Sequence, residues 1–157
     1  DQYDNPANPL AHFTTTGPEV WRQTDKQITH FVAGLGTGGT MTGVGSYLKD
    51  RDPRVELVGV QPDHPEHGIS GLKHLLTAQV PGIYDPDIVD RTVEVKTSDA
   101  KDMARQLARE EGLFVGISAG AAVTAALAVA RGLEEGVVVG LLADGGFKYT
   151  SAPFWTS

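Results

Sequence analysis

Two short runs hold the residues best suited to chemistry. The first, residues 32–43, reads VAGLGTGGTMTG, with five glycines and three threonines between positions 34 and 43. Glycines let a backbone turn its amides inward and approach a ligand closely. With a strand before the run and a helix after it, the helix N-terminus adds free N–H groups and partial positive charge. Both favour phosphate. Thr37 and Thr40 add hydroxyl donors. Three arrangements fit this composition: a ligand-free tight turn, a dinucleotide loop, and a compact cradle for one phosphate group. Gly34, Gly36 and Gly39 match the dinucleotide pattern G-x-G-x-x-G. That pattern wants an acidic residue at the end of the next strand to hold a ribose. Gln61 stands there instead, followed by Pro62. No lysine follows the loop, so the Walker phosphate pattern fails as well. The monophosphate cradle is the preferred arrangement.

The second run, GISAG at 116–120, is a literal match to the nucleophile-elbow pattern G-x-S-x-G. A serine hydrolase built on it needs an acid and a histidine later in the chain. Asp144 is available as the acid. All five histidines (His12, His30, His64, His67 and His74) precede Ser118, so the triad order fails. Ser118 can instead cap the helix that follows it and also turn its hydroxyl to a ligand. A neutral hydroxyl suits a pyridine nitrogen. Unlike a carboxylate, it does not enforce a protonated ring, so it moderates the ring as an electron sink.

Positioning these runs takes strands alternating with helices, and the hydropathy pattern supplies them. Residues 28–34 read as a buried strand, about 40–49 as a helix, Asp52-Pro53 as a turn and 55–61 as a second strand. Residues 62–86 are irregular, with four prolines and three histidines. So long a connection is expected to be functional or mobile. A strand is expected at 91–96. Ser98 is the expected cap of a helix carrying Ala100, Met103, Ala104 and Leu107 on one face and ending near Gly112. A short strand at 113–117 leads into an alanine-rich helix from Ser118 to near Gly132, and 137–142 is the last strand. The segment 10–27 is expected to hold one helix, with Pro18 near its first turn and Val20 and Trp21 inside it. The alternation predicts an α/β fold with a doubly wound, mostly parallel sheet and flanking helices. In such a sheet the C-terminal strand ends face one crevice, where Ser118 and the 36–40 loop can share a site.

The 157 residues suffice for one domain with a real core, and 40% of them are apolar. The net charge of −7 argues against a nucleic-acid or anionic-membrane partner. It leaves a small anionic ligand open, because backbone amides can bind one. There are no cysteines, which excludes disulfides, thiolate metal sites and a cysteine nucleophile. No metal site is expected. With no bilayer-length apolar run and no signal peptide, the expected location is cytoplasmic.

GTGGT at 36–40, GISAG at 116–120, the opening QYDNPANPLAH and TTGPEVW at 15–21 together resemble the cysteine synthases. These are O-acetylserine sulfhydrylases, which share pyridoxal-phosphate (PLP) fold type II with the cystathionine β-synthases. VPGIYDP at 80–86 and LLADGGFKYTS at 141–151 look closer to the cysteine synthase B group. That group includes enzymes using O-phosphoserine or alternative sulfur donors. The resemblance implies a pyridoxal 5'-phosphate cofactor. Its phosphate would lie on Gly36, Thr37, Gly38, Gly39 and Thr40, and its ring nitrogen would meet Ser118. Gln2 would contact the carboxylate of an amino-acid substrate, and Gly68 would help close the site. Lys73 stands where some B-type enzymes carry an arginine facing an anionic substrate. The implied reaction is β-replacement, in which acetate or phosphate leaves an activated serine and a sulfur nucleophile takes its place to give L-cysteine. The implied partners are an amino-acid substrate, a sulfur donor, a second copy in a homodimer and, in some members, the tail of serine acetyltransferase.

The chain also departs from that pattern. The family's Schiff-base lysine follows a P-x-x-S-x-K-like motif, and none of Lys26, Lys49, Lys73, Lys96, Lys101 and Lys148 has that context. The substrate loop T-S-G-N-T is absent too. Both belong to the first half of such an enzyme, and the chain opens Asp-Gln-Tyr without an initiator Met. Residues 1–157 are therefore expected to be the C-terminal phosphate-binding domain, with no catalytic residue of their own and no cysteine synthesis alone. A cystathionine β-synthase-like enzyme and a non-catalytic phosphate- or nucleotide-binding domain stand as alternatives.

Overall fold

A computed structural model describes residues 1–155. The chain opens with a nearly continuous helical run: α1 (Ala7–Ala11), a π turn (His12–Thr16) and α2 (Gly17–Gln23). It starts earlier than residue 10, because the Asn5 side-chain oxygen accepts from the Ala7 amide at 2.9 Å and turns the chain into helix. Pro18 thus lies inside the run. It has no N–H to give, and its ring crowds the preceding turn. The run widens at that point, and the Gly17 amide reaches back to the His12 carbonyl.

The sheet follows. β1 (His30–Gly34) leads through α3 (Gly39–Arg51) to β2 (Glu56–Pro62), and β3 (Arg91–Val95) precedes α4 (Thr97–Glu110) and α5 (Ile117–Ala130). β4 (Val138–Gly140) closes the order β3-β2-β1-β4, with every pairing parallel. The expected doubly wound α/β fold is the one observed. Strand alternation splits the core in two. Phe31, Ala33 and Leu57 pack with Met41, Val44 and Leu48 of α3 on one face. Val32, Val58 and Val60 pack with Ala100, Ala104, Ala121 and Ala125 of α4 and α5 on the other. Both faces are covered over the central strands, which explains why β1 and β2 read as continuous apolar runs.

Three local expectations are corrected. Residues 113–117 form no strand of this sheet. Gly112, at φ 68°, ends the α4 region, and Val115 then makes a single antiparallel bridge to Gly145. Ser98 does not cap α4: the helix begins at Thr97 directly after an extended Lys96, and the Ser98 hydroxyl donates to Asp99 at 3.0 Å. Ser118 does not cap α5 either. Gly116 is the extended N-cap, held by its amide to the Asp144 carbonyl at 3.1 Å, so the helix begins at Ile117. Among the described residues no helix is long and apolar enough to cross a membrane, and no group of three metal-ligating side chains occurs.

Candidate active site

The crevice lies where β1 and β4 end. Gly34, closing β1, and Leu141 and Ala143, just after β4, line a cavity of about 490 Å³. This is the carboxyl edge of a parallel sheet, with α3 on one face and α5 on the other, the place such folds use for ligands.

The glycine run builds one wall. Leu35 continues the strand by donating to the Val60 carbonyl at 2.8 Å. The chain then turns at Gly38, whose φ of 81° is left-handed and disfavours any side chain. Gly38 is also the N-cap of α3, and no side chain caps that helix. Among the described residues, the Thr40 and Met41 amides of its first turn are left for a ligand. The Thr37 hydroxyl oxygen accepts from the Gly39 amide at 3.3 Å and from Asn8 Nδ2 at 3.2 Å. The same Asn8 amide reaches the Gln2 carbonyl at 2.8 Å. A side chain at Gly39 would collide with Asn8, so α1 docks directly on the loop. Thr40 lines the cavity and contacts His12 Nε2 at 3.2 Å. Burial of His12 lowers its pKa below the ordinary 6.5, so the ring is neutral at pH 7.

The opposite wall holds Ser118, Asp144, Lys148 and Tyr149. The Tyr149 hydroxyl donates to Asp144 Oδ2 at 2.6 Å, and Lys148 Nζ lies 3.9 Å from the same oxygen. The hydrogen bond to Asp144, helped by burial, raises the Tyr149 pKa above 10.0. Asp144 Oδ1 is buried with no hydrogen-bond partner among the described residues. Lys73 and Tyr3 also line the cavity: Lys73 Nζ sits 5.0 Å from the centroid of the Tyr3 ring, and its backbone amide donates to the Leu35 carbonyl at 2.8 Å.

Most of the residues singled out in the sequence therefore converge. Gln2, Gly36, Thr37, Gly38, Thr40, Lys73 and Ser118 line this one cavity, and Gly39 is the buried first residue of α3 beneath it. Gly68 is the exception. It lines a neighbouring groove with Lys101 and Ile117, and its amide donates to Thr97 Oγ1 at 3.0 Å. Gln61, which replaces a ribose-holding acid, is committed to structure: it accepts from the Leu75 amide and donates to Glu94, each at 3.2 Å. Among the described residues no histidine lines the cavity with Ser118, which removes the hydrolase base. Sequence reasoning missed Asn8 and His12, and also Ser70 and Tyr149, which line the cavity. For Asn8 and His12 the only signal was proximity to recognisable runs, since contacts 29 and 28 residues apart leave no local pattern.

A family model described as pyridoxal-phosphate dependent enzyme matches residues 1–144. The chain belongs to that family. Pyridoxal phosphate is the family's cofactor, and the chemistry of the cavity is compatible with it: free amides at a helix N-terminus favour an anion, and the serine hydroxyl is neutral. The chain is 52% identical to a cysteine synthase of Aquifex aeolicus, covering 98% of this chain and 49% of that protein. It is 46% identical to cysteine synthase B of Pseudomonas aeruginosa, covering 97% and 50%. Among solved structures, a cysteine synthase from Entamoeba histolytica superposes with a TM-score of 0.93 at 31% identity, over 99% of this chain and 48% of that one. A lysine-to-alanine mutant of an O-ureido-L-serine synthase, bound to O-ureido-L-serine, gives 0.92 at 40% identity, over 99% and 51%. The chain thus spans about half the length of the relatives it matches.

Proposed function

We propose that this chain is the cofactor-holding, C-terminal part of a cysteine synthase of the B type. The observation that carries this reading is the pairing of an uncapped α3 N-terminus with Ser118 across one cavity. Gly36, Thr37, Gly38, Gly39 and Thr40 bind the cofactor phosphate through backbone amides and two hydroxyls. The Ser118 hydroxyl orients the ring by a hydrogen bond to its nitrogen without adding a charge. The bound cofactor supplies an electron sink for bond breaking at the substrate α-carbon. Lys73 and Gln2 line the cavity, and in this reading they hold the carboxylate or anionic leaving group of an O-acylated or O-phosphorylated serine. Gly68 acts only through movement of its loop, since its groove adjoins the cavity without sharing it. The lysine that takes up and returns the α-proton comes from a segment outside these residues, because none of the six lysines carries the family motif. In the working enzyme we expect a homodimer in the cytoplasm, acting on an amino acid and a sulfur donor.

Binding to the purified chain tests this. Pyridoxal 5'-phosphate, titrated and followed by its ³¹P resonance, is expected to bind, inorganic phosphate to compete, and Ser118→Ala to weaken the cofactor but not inorganic phosphate. Tight NAD binding with no response to pyridoxal 5'-phosphate would sink the proposal.

A further inference from the structure

The π turn and the phosphate loop meet at one imidazole. His12 Nε2 lies 3.2 Å from Thr40 Oγ1, and His12 Nδ1 lies 3.0 Å from Thr16 Oγ1. The approach is possible because α3 has Gly43 one turn beyond Thr40. A side chain at Gly43 would come within 2.7 Å of His12 Cβ and collide with the Pro9 carbonyl.

We propose that His12 is a positioning residue for the phosphate cradle: carrying its proton on Nε2, it donates to Thr40 and thereby frees the single Thr40 hydroxyl proton for a phosphate oxygen. This rests on the reading of residues 36–40 given under Proposed function. A hydroxyl has one proton and two lone pairs. If Thr40 gave that proton to Nε2, it would offer an anion in the cavity only lone pairs. The reverse polarity makes Thr40 a donor, and Nδ1 then becomes an acceptor that needs a proton from Thr16. The local helix supports that assignment. Thr14 and Thr15 donate to the Leu10 and Ala11 carbonyls at 2.9 and 2.7 Å. Thr16 departs from that pattern: no hydrogen bond from its hydroxyl to the His12 carbonyl is found among the described residues, and its oxygen lies 3.0 Å from His12 Nδ1. The Thr16 hydroxyl meets the ring instead. Half-burial keeps the imidazole uncharged, so its Nδ1 lone pair is available. The relay therefore runs Thr16 to His12 to Thr40 to phosphate, each group giving one proton onward.

Two measurements test it. The first needs no ligand: long-range ¹H–¹⁵N correlation on the chain with ¹⁵N-labelled histidine at pH 7. The expected result is an Nε2–H tautomer at His12; an Nδ1–H tautomer overturns the relay. The second compares wild type, His12→Gln and His12→Asn in titrations with pyridoxal 5'-phosphate, inorganic phosphate and unphosphorylated pyridoxal. A glutamine amide reaches the Nε2 position; an asparagine amide reaches only the Nδ1 position. His12→Gln is expected to bind within about threefold of wild type. His12→Asn is expected to lose about tenfold or more for both phosphate probes, the size of one hydrogen bond to a charged group, with pyridoxal unchanged. Equal phosphate binding by His12→Asn and wild type overturns the proposal, as does an equal loss of all three probes. A wild-type chain that does not prefer pyridoxal 5'-phosphate to pyridoxal removes the underlying reading, and this inference with it. If only inorganic phosphate shows the His12→Asn loss, the relay serves a free-anion site and the proposal fails for the cofactor.

Discussion

Asp144 divides its two carboxylate oxygens unequally: Oδ2 takes the Tyr149 hydroxyl at 2.6 Å, and Oδ1 is buried and unpartnered among the described residues. The pair has a pH signature. The Tyr149 pKa is raised in the folded chain, so above pH 10.0 the unfolded chain loses this proton before the folded one does. The stabilisation is full below that pH and is lost as pH rises through the raised pKa. Urea midpoints measured from pH 8 to 11.5 are expected to fall less steeply for Tyr149→Phe than for wild type. Gly38 gives a second residue-level test. Its φ of 81° costs an L-residue about 1–2 kcal/mol, and an added Cβ would also lie 2.5 Å from the Tyr84 ring. Gly38→Ala is expected to lose at least that much stability in urea and to weaken phosphate binding. At this scale the sequence was legible where chemistry is local. The glycine–threonine run and the serine both line the cavity. His12 was not legible, because its role depends on a helix placed 28 residues upstream of Thr40.

Among the elements, α4 and α5 pack against each other so closely that the Ala100 carbonyl and the Ala104 amide occupy the space a Gly120 side chain would need. In an isolated helix, glycine to alanine gains about 1 kcal/mol. Here the sign reverses. Gly120→Ala must push α4 outward or strain its backbone, so a loss of about 1–3 kcal/mol is expected, read as a lower urea midpoint with unchanged helix content by circular dichroism. The main elements were readable from periodicity: the central strands β1 and β2 are short apolar runs, and α4 shows Ala100, Ala104 and Leu107 on one buried face. Residues 113–117 were misread because an apolar run describes burial, not partners. Leu113 and Phe114 are 45% and 44% exposed, and only Val115 finds a bridge. The π turn was unreadable for a related reason. Pro18 announces a break, but only the helix continuing on both sides makes it a bulge rather than an end.

For the molecule as a whole, the exposed apolar side chains matter most. Leu10, Leu76 and Phe147 are 59%, 79% and 69% exposed, and Phe114 meets Trp155 at a 44° tilt with ring centroids 4.8 Å apart. A chain spanning half the length of its relatives, with such surface in water, is expected to self-associate. Sedimentation velocity across a tenfold concentration range is expected to show concentration-dependent species, reduced by Phe147→Ser. A single monomeric boundary at every concentration would contradict this.

Residue types, short-range periodicity and chain order were enough to read the parallel α/β class, the phosphate-suited glycine loop and the failure of a hydrolase triad, because the first two rest on neighbours within an element and on the alternation of elements, and the third on every histidine preceding Ser118. Which walls face each other is a matter of sheet order. β1 lies between β2 and β4, so the α3 loop and the α5 serine, about 80 residues apart, open onto one cavity. The glycine loop therefore needed the folded chain to acquire its other partners: Asn8 beneath Thr37, His12 behind Thr40, and Ser118 across the gap.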